Sequence, residues 1–443
     1  MRKRYILCAL CALTIGLCMT AVLVACRGGS GEETSAGSTT GSDEPIGEFT
    51  EPEDSETVAG ESVTETVAPP DSETEEPLTA EPGHAASEAG AKTADILLAA
   101  DFGVVGDGVT DDGPAISEAV RAAVERQATL RFEAGKTYYV GTATNTAAVF
   151  RSPFSMKDAS GVTLDGQGAI FRMKPGLSFF ALAGCKDIRL ENCVFDMAES
   201  VYLVGRVESV DGKTVAFSVD REPYLASYDF TAVNGFAIRY NEGVQGRPHR
   251  FLRTMERTGE RQVKVTYASS PDCVRGDLVF LPNPGIGHAY SEAIYIGGCG
   301  GALVFENIAI RQAPSFIMAI KGNNAEMYFE NVDMLPDTED GREIHMVSWR
   351  DGYHCKDNRL PIHWNECDVG VLYDDVFNIS NTLGYITEVT DDNVFTAVNY
   401  ELWLQGRRIS PGYRIGDVVD VYDLGNGAFC GTGTVRRVVN NAD

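Results

Sequence analysis

Leu303-Val-Phe-Glu-Asn-Ile-Ala-Ile310 is one of four copies of an eight-residue pattern in the sequence. The other three are Ile188–Phe195, Met327–Met334 and Ile362–Val369. In every copy an alternation of apolar and polar residues is interrupted by a polar pair, which is typical of two short strands joined by a bend. The second residue of each polar pair defines one corner position, occupied by Asn192, Asn307, Asn331 and Glu366.

The spacing of these corner residues predicts the architecture. Asn307 and Asn331 are 24 residues apart, Asn331 and Glu366 are 35 apart, and Asn192 precedes Asn307 by 115. The last two distances are one period plus a loop of about 11 residues, and one period plus an insert of about 90. A period in the low twenties that contains strands and bends is the signature of a solenoid. The sequence therefore predicts an all-β protein, a right-handed parallel β-helix in which each coil stacks on the last.

Two segments interrupt this repeat. The first is the extra sequence at about 204–288, and the second, at about 383–439, matches it at a constant offset of 179 residues. The matching pairs are Gly205/Gly384, Val207/Ile386, Val210/Val389 and Val215/Val394. Both segments later reach a Gly-Asp pair followed by apolar alternation. We expect two small β-barrel-like inserts, with long β-hairpin loops as the alternative.

The folded region is expected at 94–443, and its first part contains a helix signal. Ala100–Asp112 is rich in Gly and Asp and precedes a predicted helix, Pro114–Glu125, whose apolar residues recur at helical spacing. Asp111 or Asp112 is expected to be the helix N-cap. Turn and cap geometry account for these aspartates, so we assign them a structural rather than a catalytic role.

The N-terminus has the form of a targeting segment. Arg2-Lys3-Arg4 precedes a run of apolar and small residues, Tyr5–Ala25, which ends in Leu23-Val-Ala-Cys26. This arrangement resembles a bacterial lipoprotein signal, with cleavage after residue 25 and lipid attached to Cys26. The resemblance implies a lipoprotein anchored in the membrane at the bacterial cell surface. An uncleaved transmembrane anchor is the alternative.

Charge is distributed unevenly along the chain. The whole sequence has a net charge of -27, and residues 27–93 contain 17 acidic side chains against Arg27 and Lys92. With few aromatic residues, the stretch 26–93 is expected to be a disordered acidic tether behind the lipidated cysteine. The acidic balance also argues against a nucleic-acid partner, because phosphate binding needs a basic face.

A carboxylate pattern occurs at the spacing of one coil. Asp351 precedes Asp374 by 23 residues and Asp375 by 24. Because stacked strands lie about 4.8 Å apart, Asp351 is expected beside the Asp374/Asp375 pair on the next coil. No pair of cysteines or histidines at metal-ligand spacing accompanies them, so we expect neither a metal nor another cofactor.

Such a cluster suits inverting hydrolysis of a glycosidic bond. One carboxylic acid with a raised pKa protonates the leaving oxygen, and a second carboxylate, about 6.5–9.5 Å away, activates water. The alternative is a surface ladder of solvated aspartates at strand ends. Neighbouring candidates for substrate binding are His354, Trp349, Arg350, Arg359 and Asn378, each of which could equally be structural or solvated.

Several of these motifs resemble known families. The block from Ala100 to Val140 resembles the N-terminal cap of pectin-lyase-like right-handed β-helices, and Val162–Ile170 is similar to an early coil of that superfamily. An Asp followed one coil later by Asp-Asp occurs in polygalacturonase-like hydrolases. The string Asp351-Gly-Tyr-His-Cys-Lys-Asp-Asn-Arg359, together with two barrel inserts, resembles the bacterial α-1,3-galactosidases of glycoside hydrolase family 110.

This resemblance implies an exo-acting, inverting α-1,3-galactosidase that removes terminal galactose from blood-group-B-type glycans without a metal. It implies that Asp351, Asp374 and Asp375 are the catalytic carboxylates. By analogy with the polygalacturonase-like enzymes, Asp374 is the expected acid, and Asp351 and Asp375 are the pair that activates water.

One feature departs from the family pattern. Further coils normally follow the second insert, whereas this sequence ends at Asp443. We therefore expect a solenoid truncated at its C-terminal end. A polygalacturonase-like hydrolase and an inactive surface protein that binds carbohydrate remain the alternatives, although an acidic polymer would need a basic groove, of which the sequence shows no sign.

Overall fold

The computed structural model describes residues 95–438, except 148, 224–234, 242–243, 272, 284–291, 337–345, 349, 392–393, 401–403 and 405–411. The predicted signal, Cys26 and the acidic tether lie outside the described residues. Within the described part, no helix is long and apolar enough to cross a membrane.

The N-terminal end of the β-helix is covered by a short helical cap. A 3-10 turn, Ala99–Phe102, leads to the α-helix Gly113–Arg126, which confirms the helix predicted at 114–125. Its apolar stripe of Ile116, Ala119, Val120 and Ala123 is fully buried. The stripe packs into the same core that fills the coils, so the helix closes the first coil of the solenoid.

Asp112 stands at the helix N-cap but does not cap the helix with its side chain. Its backbone is helical rather than extended (φ -78°, ψ -8°), which turns the carboxylate away from the first turn. The carboxylate, 1% exposed, instead accepts hydrogen bonds from the amides of Val105 (2.7 Å) and Gly106 (3.0 Å). The expected capping role of the Asp112 side chain is therefore wrong, and its structural role lies in the preceding turn.

Asp111 makes the contact at the helix start. Its carboxylate accepts the Gly113 amide at 3.1 Å, and it also accepts the Gly141 amide at 2.8 Å, 30 residues further along. Asp111 thus joins the helix to the end of the strand Thr137–Val140.

Two parallel sheets run the length of the coils. Among the described residues the first sheet has nine strands. They are Ile96–Leu98, Asp107–Asp111, Thr129–Arg131, Thr137–Val140, Ser160–Met173, Lys186–Met197, Gly300–Ile310, Asn324–Met334 and Ile362–Asn365. In the same described ranges the second sheet has six. They are Phe154–Lys157, Phe180–Ala183, Ile294–Gly297, Met318–Lys321, Tyr353–Lys356 and Phe377–Ser380.

The copies of the eight-residue pattern stack in register. Ile188 pairs with Leu303, Leu303 with Met327, and Met327 with Ile362, all in parallel. The chain is an all-β parallel β-helix, as predicted.

The corner residues lie on one edge of the solenoid, as the repeat predicts. Asn192, Asn307, Asn331 and Glu366 all have left-handed backbones, with φ between 50° and 56°. Asparagine tolerates this conformation better than most residues. The amide of Asn331 donates to Asn307 at 2.9 Å, and the amide of Asn307 donates to Asn192 at 3.0 Å. We call these three residues the asparagine ladder.

Inward-facing side chains stack in the same register. The rings of Phe305, Phe329 and Trp364 lie one above the other, with centroids 4.9 Å and 6.2 Å apart. Tyr353, from the second sheet, meets Trp364 edge to face at 5.6 Å. The core therefore continues to the coil that carries the predicted carboxylates.

The first insert is a closed antiparallel barrel of six strands, counted over the described residues. They are Tyr202–Asp211, Thr214–Val219, Gly235–Asn241, Val244–Gly259, Gln262–Tyr267 and Leu278–Pro282. The barrel has an apolar core of its own, separate from that of the solenoid. The hydroxyl of Tyr202 donates to the carbonyl of Ala313 at 2.8 Å, which fastens the base of the barrel to the β-helix.

The second insert is arranged differently. It contains two antiparallel hairpins, Gly384–Asp391 with Val394–Asn399 and Val418–Tyr422 with Phe429–Thr434. They line a shared cavity of about 30 Å³. In the part of this insert that is described, no strand of one hairpin pairs with a strand of the other, so the two form facing hairpins without the closure of the first barrel. A further two-stranded hairpin, Thr146–Ala147 with Phe150–Arg151, lies near the N-terminal cap.

Candidate active site

The last two strands of the second sheet bring the three aspartates together. Tyr353 pairs with Phe377, an offset of 24 residues, and the amide of Gly352 donates to the carbonyl of Asp375 at 2.9 Å. Asp351 therefore lies level with Asp375 on the adjacent coil, and Asp374 is one residue earlier. The 24-residue register is the one that the sequence predicts.

The three carboxylates form one tight cluster. One oxygen from each of Asp351, Asp374 and Asp375 lies within 4.8 Å of the others. In-register parallel pairing, which sets neighbouring side chains about 4.8 Å apart, accounts for this contact between the nearest oxygens. The expected separation of about 6.5–9.5 Å between the acid and the base stays a prediction.

Their surroundings differ. Asp351 is 2% exposed, whereas the side chain of Asp374 is 40% exposed and Asp375 is also exposed. Partial burial raises the pKa of Asp374 to about 6, and the negative charges of Asp351 and Asp375 add to this effect. The positive charge of Arg350, whose Nε lies 3.7 Å from Asp374 Oδ2, acts in the opposite direction. Asp374 thus keeps its proton to a higher pH than an ordinary aspartic acid does.

His354 lies against Asp351. Its Nδ1 is 2.7 Å from Asp351 Oδ2, and its side chain is 17% exposed. An ionised Asp351 accepts this hydrogen bond from the Nδ1–H group. The predicted substrate-binding histidine therefore also has a contact that orients a carboxylate of the cluster.

Arg350 is held by two neighbours. Its amide donates to the hydroxyl of the buried Ser348 at 3.1 Å, and its guanidinium carbon lies 4.3 Å from the centroid of the Phe316 ring. Phe316 also contacts the ring of His354, at a centroid distance of 4.7 Å. Phe316 is not among the site residues predicted from the sequence. An available signal is the 35-residue offset between Asn331 and Glu366, because the same offset links Phe316 to Asp351.

The remaining predicted binding residues lie in different places. The Asn378 amide is 3.4 Å from Asp375 Oδ2, so Asn378 borders the cluster. Arg359 makes a bidentate ion pair with Asp417 of the second insert, at 2.9 Å and 3.1 Å. Arg359 therefore fastens this insert to the coil. Trp349 lies outside the described residues.

Three converging carboxylates are also a donor set that hard cations accept. Across the described ranges, this is the one group of three His, Cys, Asp or Glu side chains that meets so closely. Arg350 already brings a positive charge to Asp374. The expectation that no metal or other cofactor takes part stays a prediction.

Fold and cluster together define a parallel β-helix protein with three aspartates gathered on one edge of its second sheet. No protein-family profile matches the chain, and neither does any curated protein. Among solved structures it is similar to a candidate glycosyl hydrolase from Parabacteroides merdae, at 13% identity and a TM-score of 0.26, over 65% of this chain and 94% of that one.

Two further solved structures show similarity at the same low level. The A-module of a mannuronan C-5 epimerase from Azotobacter vinelandii has 13% identity and a TM-score of 0.20, over 63% of this chain and 77% of that one. A tailspike protein of a Pseudomonas phage has 12% identity and a TM-score of 0.17, over 64% and 54%. Similarities of this size assign no function to the chain.

Proposed function

We propose that the protein is a glycoside hydrolase, an exo-acting inverting α-1,3-galactosidase that removes terminal galactose from glycans. The observation that carries the proposal is the one-coil register that gathers Asp351, Asp374 and Asp375, with the pKa of Asp374 raised to about 6. Acid–base cleavage of a glycosidic bond requires a proton donor beside a carboxylate that can activate water, and a carboxyl group with a raised pKa is suited to be the donor. The galactoside specificity is supported by the resemblance of the Asp351–Arg359 string to family 110.

Each carboxylate has a role in this proposal. Asp374 transfers its proton to the oxygen of the leaving group as the bond to the anomeric carbon breaks. Asp351 and Asp375 both accept hydrogen bonds from a water molecule, and one of them takes its proton as the water oxygen attacks that carbon. Among the predicted substrate-binding residues, Arg350 and Asn378 border the cluster and are the best situated to bind sugar hydroxyls.

Two observations bear on the stereochemistry in opposite senses. The close approach of the oxygens is nearer to the separation of about 5–5.5 Å that is typical of retaining enzymes. Asp351, however, is buried and hydrogen-bonded to His354, which makes it a poor nucleophile and a well-held base. We favour inversion on this ground, and the anomer released first decides the point.

The decisive experiment is turnover by aspartate variants. Asp351→Asn, Asp374→Asn and Asp375→Asn are each expected to lower turnover of an α-1,3-galactosyl oligosaccharide by about 10²–10⁴-fold or more. Nuclear magnetic resonance of the first product should show β-galactose. Near-normal turnover in these variants, or α-galactose as the first product, would contradict the mechanism.

Asp112→Ala is the matched control. The substitution removes a buried carboxylate that accepts hydrogen bonds from two backbone amides. Asp112 is far from the aspartate cluster in the sequence. Leaving those amides without a partner should lower the free energy of unfolding by about 1–3 kcal/mol. Turnover per folded molecule should not change.

A panel of substrates separates the alternatives. Hydrolysis of α-galactosides alone supports the proposal. Hydrolysis of polygalacturonate identifies a polygalacturonase-like enzyme, and binding of glycans without turnover identifies a surface carbohydrate-binding protein. Turnover that survives a chelator agrees with the metal-free mechanism, whereas its loss would contradict it.

A further inference from the structure

Phe316 lies directly before the carboxylate cluster in the stack of coils. The amide of Ile317 donates to the carbonyl of Asp351 at 3.0 Å, and Met318 pairs with Tyr353. Phe316 is therefore level with Asp351 on the preceding coil. Its ring is half-buried.

The ring contacts two groups at once. The guanidinium of Arg350 lies over its face at 4.3 Å, which is within the range of a cation–π interaction. The imidazole of His354 packs beside it at 4.7 Å, tilted by 54°. These two side chains come from positions four residues apart on the next coil, so a single ring restrains both.

Both groups in turn touch the cluster. Arg350 Nε is 3.7 Å from Asp374 Oδ2, and His354 Nδ1 is 2.7 Å from Asp351 Oδ2. The proposed acid and the buried carboxylate thus have different partners, and Phe316 contacts both partners.

We propose that Phe316 is a positioning residue that holds Arg350 against Asp374 and His354 against Asp351. The inference rests on the proposed function and deepens it. It requires an aromatic face and not merely apolar volume, because an aliphatic side chain offers no π-electrons to the guanidinium.

The loop geometry supports this positioning role. The hydroxyl of Ser348 donates to the carbonyl of Ser315 and accepts the Arg350 amide, and both serines are buried. This ties the residue before Phe316 to the backbone of Arg350 on the next coil. From the same coil as Ser315, the Phe316 ring contacts the guanidinium at the far end of the Arg350 side chain.

The position of Arg350 affects the pKa of Asp374, the proposed acid. The charged groups that act on Asp374 are Arg350, Asp351 and Asp375, and Tyr373 and His354 are the other titratable groups nearby. Arg350 is the group among them that lowers the pKa of Asp374. If Arg350 leaves its position, that pKa rises, and the acid remains protonated to a higher pH.

The test compares Phe316→Leu with Phe316→Tyr. Loss of the π-face should lower kcat/KM of the leucine variant by between about 2-fold and about 30-fold. The alkaline limb of its pH profile should move to higher pH, as it should in Arg350→Gln, and the double variant should show no further shift. Phe316→Tyr keeps the aromatic face, so its kcat/KM and the pH of its alkaline limb should match those of the wild type.

The matched control is Tyr295→Leu. Tyr295 is a half-buried aromatic residue on the same sheet, but it stacks on Phe150 at 4.6 Å. The pH profile of kcat/KM in Tyr295→Leu should match that of the wild type. An unshifted profile in Phe316→Leu would overturn the inference, and so would a tyrosine variant that behaves like the leucine variant.

A second readout does not depend on turnover. In protein containing isotope-labelled histidine, the Nδ1 proton of His354 should give a strongly downfield signal through its bond to Asp351. The signal should weaken or disappear in Phe316→Leu and persist in Phe316→Tyr. If the wild type hydrolyses no glycoside, the proposed function is wrong, and the His354 signal still tests the positioning role of Phe316.

If Phe316→Leu does not fold, Phe316→Met makes the same comparison. An unchanged His354 signal in that variant would overturn the inference.

Discussion

Three aspartates of identical chemistry acquire different properties from their immediate neighbours. Asp351 is buried and bound by His354, whereas Asp374 and Asp375 are exposed and Asp374 lies beside Arg350. The pKa of Asp374 is raised to about 6. The difference arises from partial burial and from two like charges, which disfavour a third negative charge on the same patch.

The pH dependence of turnover follows from this difference. Asp374 must be protonated to act as the acid, so kcat/KM should fall as the pH rises through about 6. The measurement is a pH profile of kcat/KM with an activated aryl α-galactoside and with a natural disaccharide. The fall should be steeper for the disaccharide, because its leaving group needs the proton more. A profile that is flat between pH 5 and pH 8 for both would contradict the assignment.

The stability of Asp374→Asn should depend on pH in a defined sense. The folded-state pKa of Asp374 is raised, so its contribution to stability is complete below its unfolded value of about 3.8 and is lost as the pH rises through about 6. The melting temperature of the uncharged variant should therefore be higher than that of the wild type at pH 8 and equal to it at pH 3. The gain should be small because the side chain is 40% exposed. Thermal unfolding at the two pH values provides the measurement, and a variant that is less stable at pH 8 would contradict it.

At the scale of elements, the corner of the β-helix depends on a backbone conformation that few residues accept. The asparagine ladder combines left-handed φ angles with side-chain hydrogen bonds from coil to coil. The side-chain amide of Asn307 accepts a hydrogen bond from Asn331 on the next coil and donates one to Asn192 on the previous coil. The ladder therefore stabilises the bend and the stacking at the same position.

Substitution at Asn307 can separate these two contributions. Asn307→Gly removes the hydrogen bonds but keeps a residue that tolerates φ of 52°. Asn307→Ala removes the bonds and adds backbone strain, so it should be less stable than the glycine variant by about 1 kcal/mol. Chemical denaturation measures the difference.

Asn324 offers the control. It is exposed at the start of an extended strand, where glycine is the costlier replacement. The order should reverse there, with Asn324→Gly less stable than Asn324→Ala. The same order at both positions would show that backbone conformation does not decide the effect.

At the scale of the whole molecule, the β-helix continues past its first insert. Lys186–Met197 pairs directly with Gly300–Ile310, although the barrel lies between them in sequence. The barrel also leaves and returns at neighbouring points, since Tyr202 pairs with Pro282. Most of the buried apolar side chains of the barrel form a core of their own, whereas Tyr202, Val204 and Phe280 at its base belong to the core of the coils.

Excision of the barrel should therefore leave the β-helix folded. Replacement of Arg206–Leu278 by Asn-Gly joins Gly205 to Val279, which already face each other, through a tight hairpin turn. We expect a cooperative thermal transition and a β-rich circular dichroism spectrum in the shortened protein. An unfolded product, while the intact chain folds under the same conditions, would contradict the independence of the two cores.

The membrane anchor is a prediction for the intact chain in its host. Cys26→Ser removes the residue that would carry lipid, so the variant should leave the membrane fraction or remain unprocessed. Fractionation and electrophoretic mobility provide the measurement. A variant that fractionates and migrates like the wild type would exclude lipid anchoring at Cys26.

The sequence by itself determined the repeat, the corner positions of Asn192, Asn307 and Asn331, the N-terminal helix and the meeting of Asp351 with Asp374 and Asp375. A solenoid permits this because each residue's neighbour across the stack lies one period along the chain, so an offset in sequence becomes a contact in space. Only the tertiary structure decided that His354 binds Asp351, that Phe316 underlies Arg350, that Arg359 pairs with Asp417, and that Asp112 holds a turn rather than a helix. These contacts depend on loops of unequal length and on side-chain orientations, which packing sets and no sequence period records.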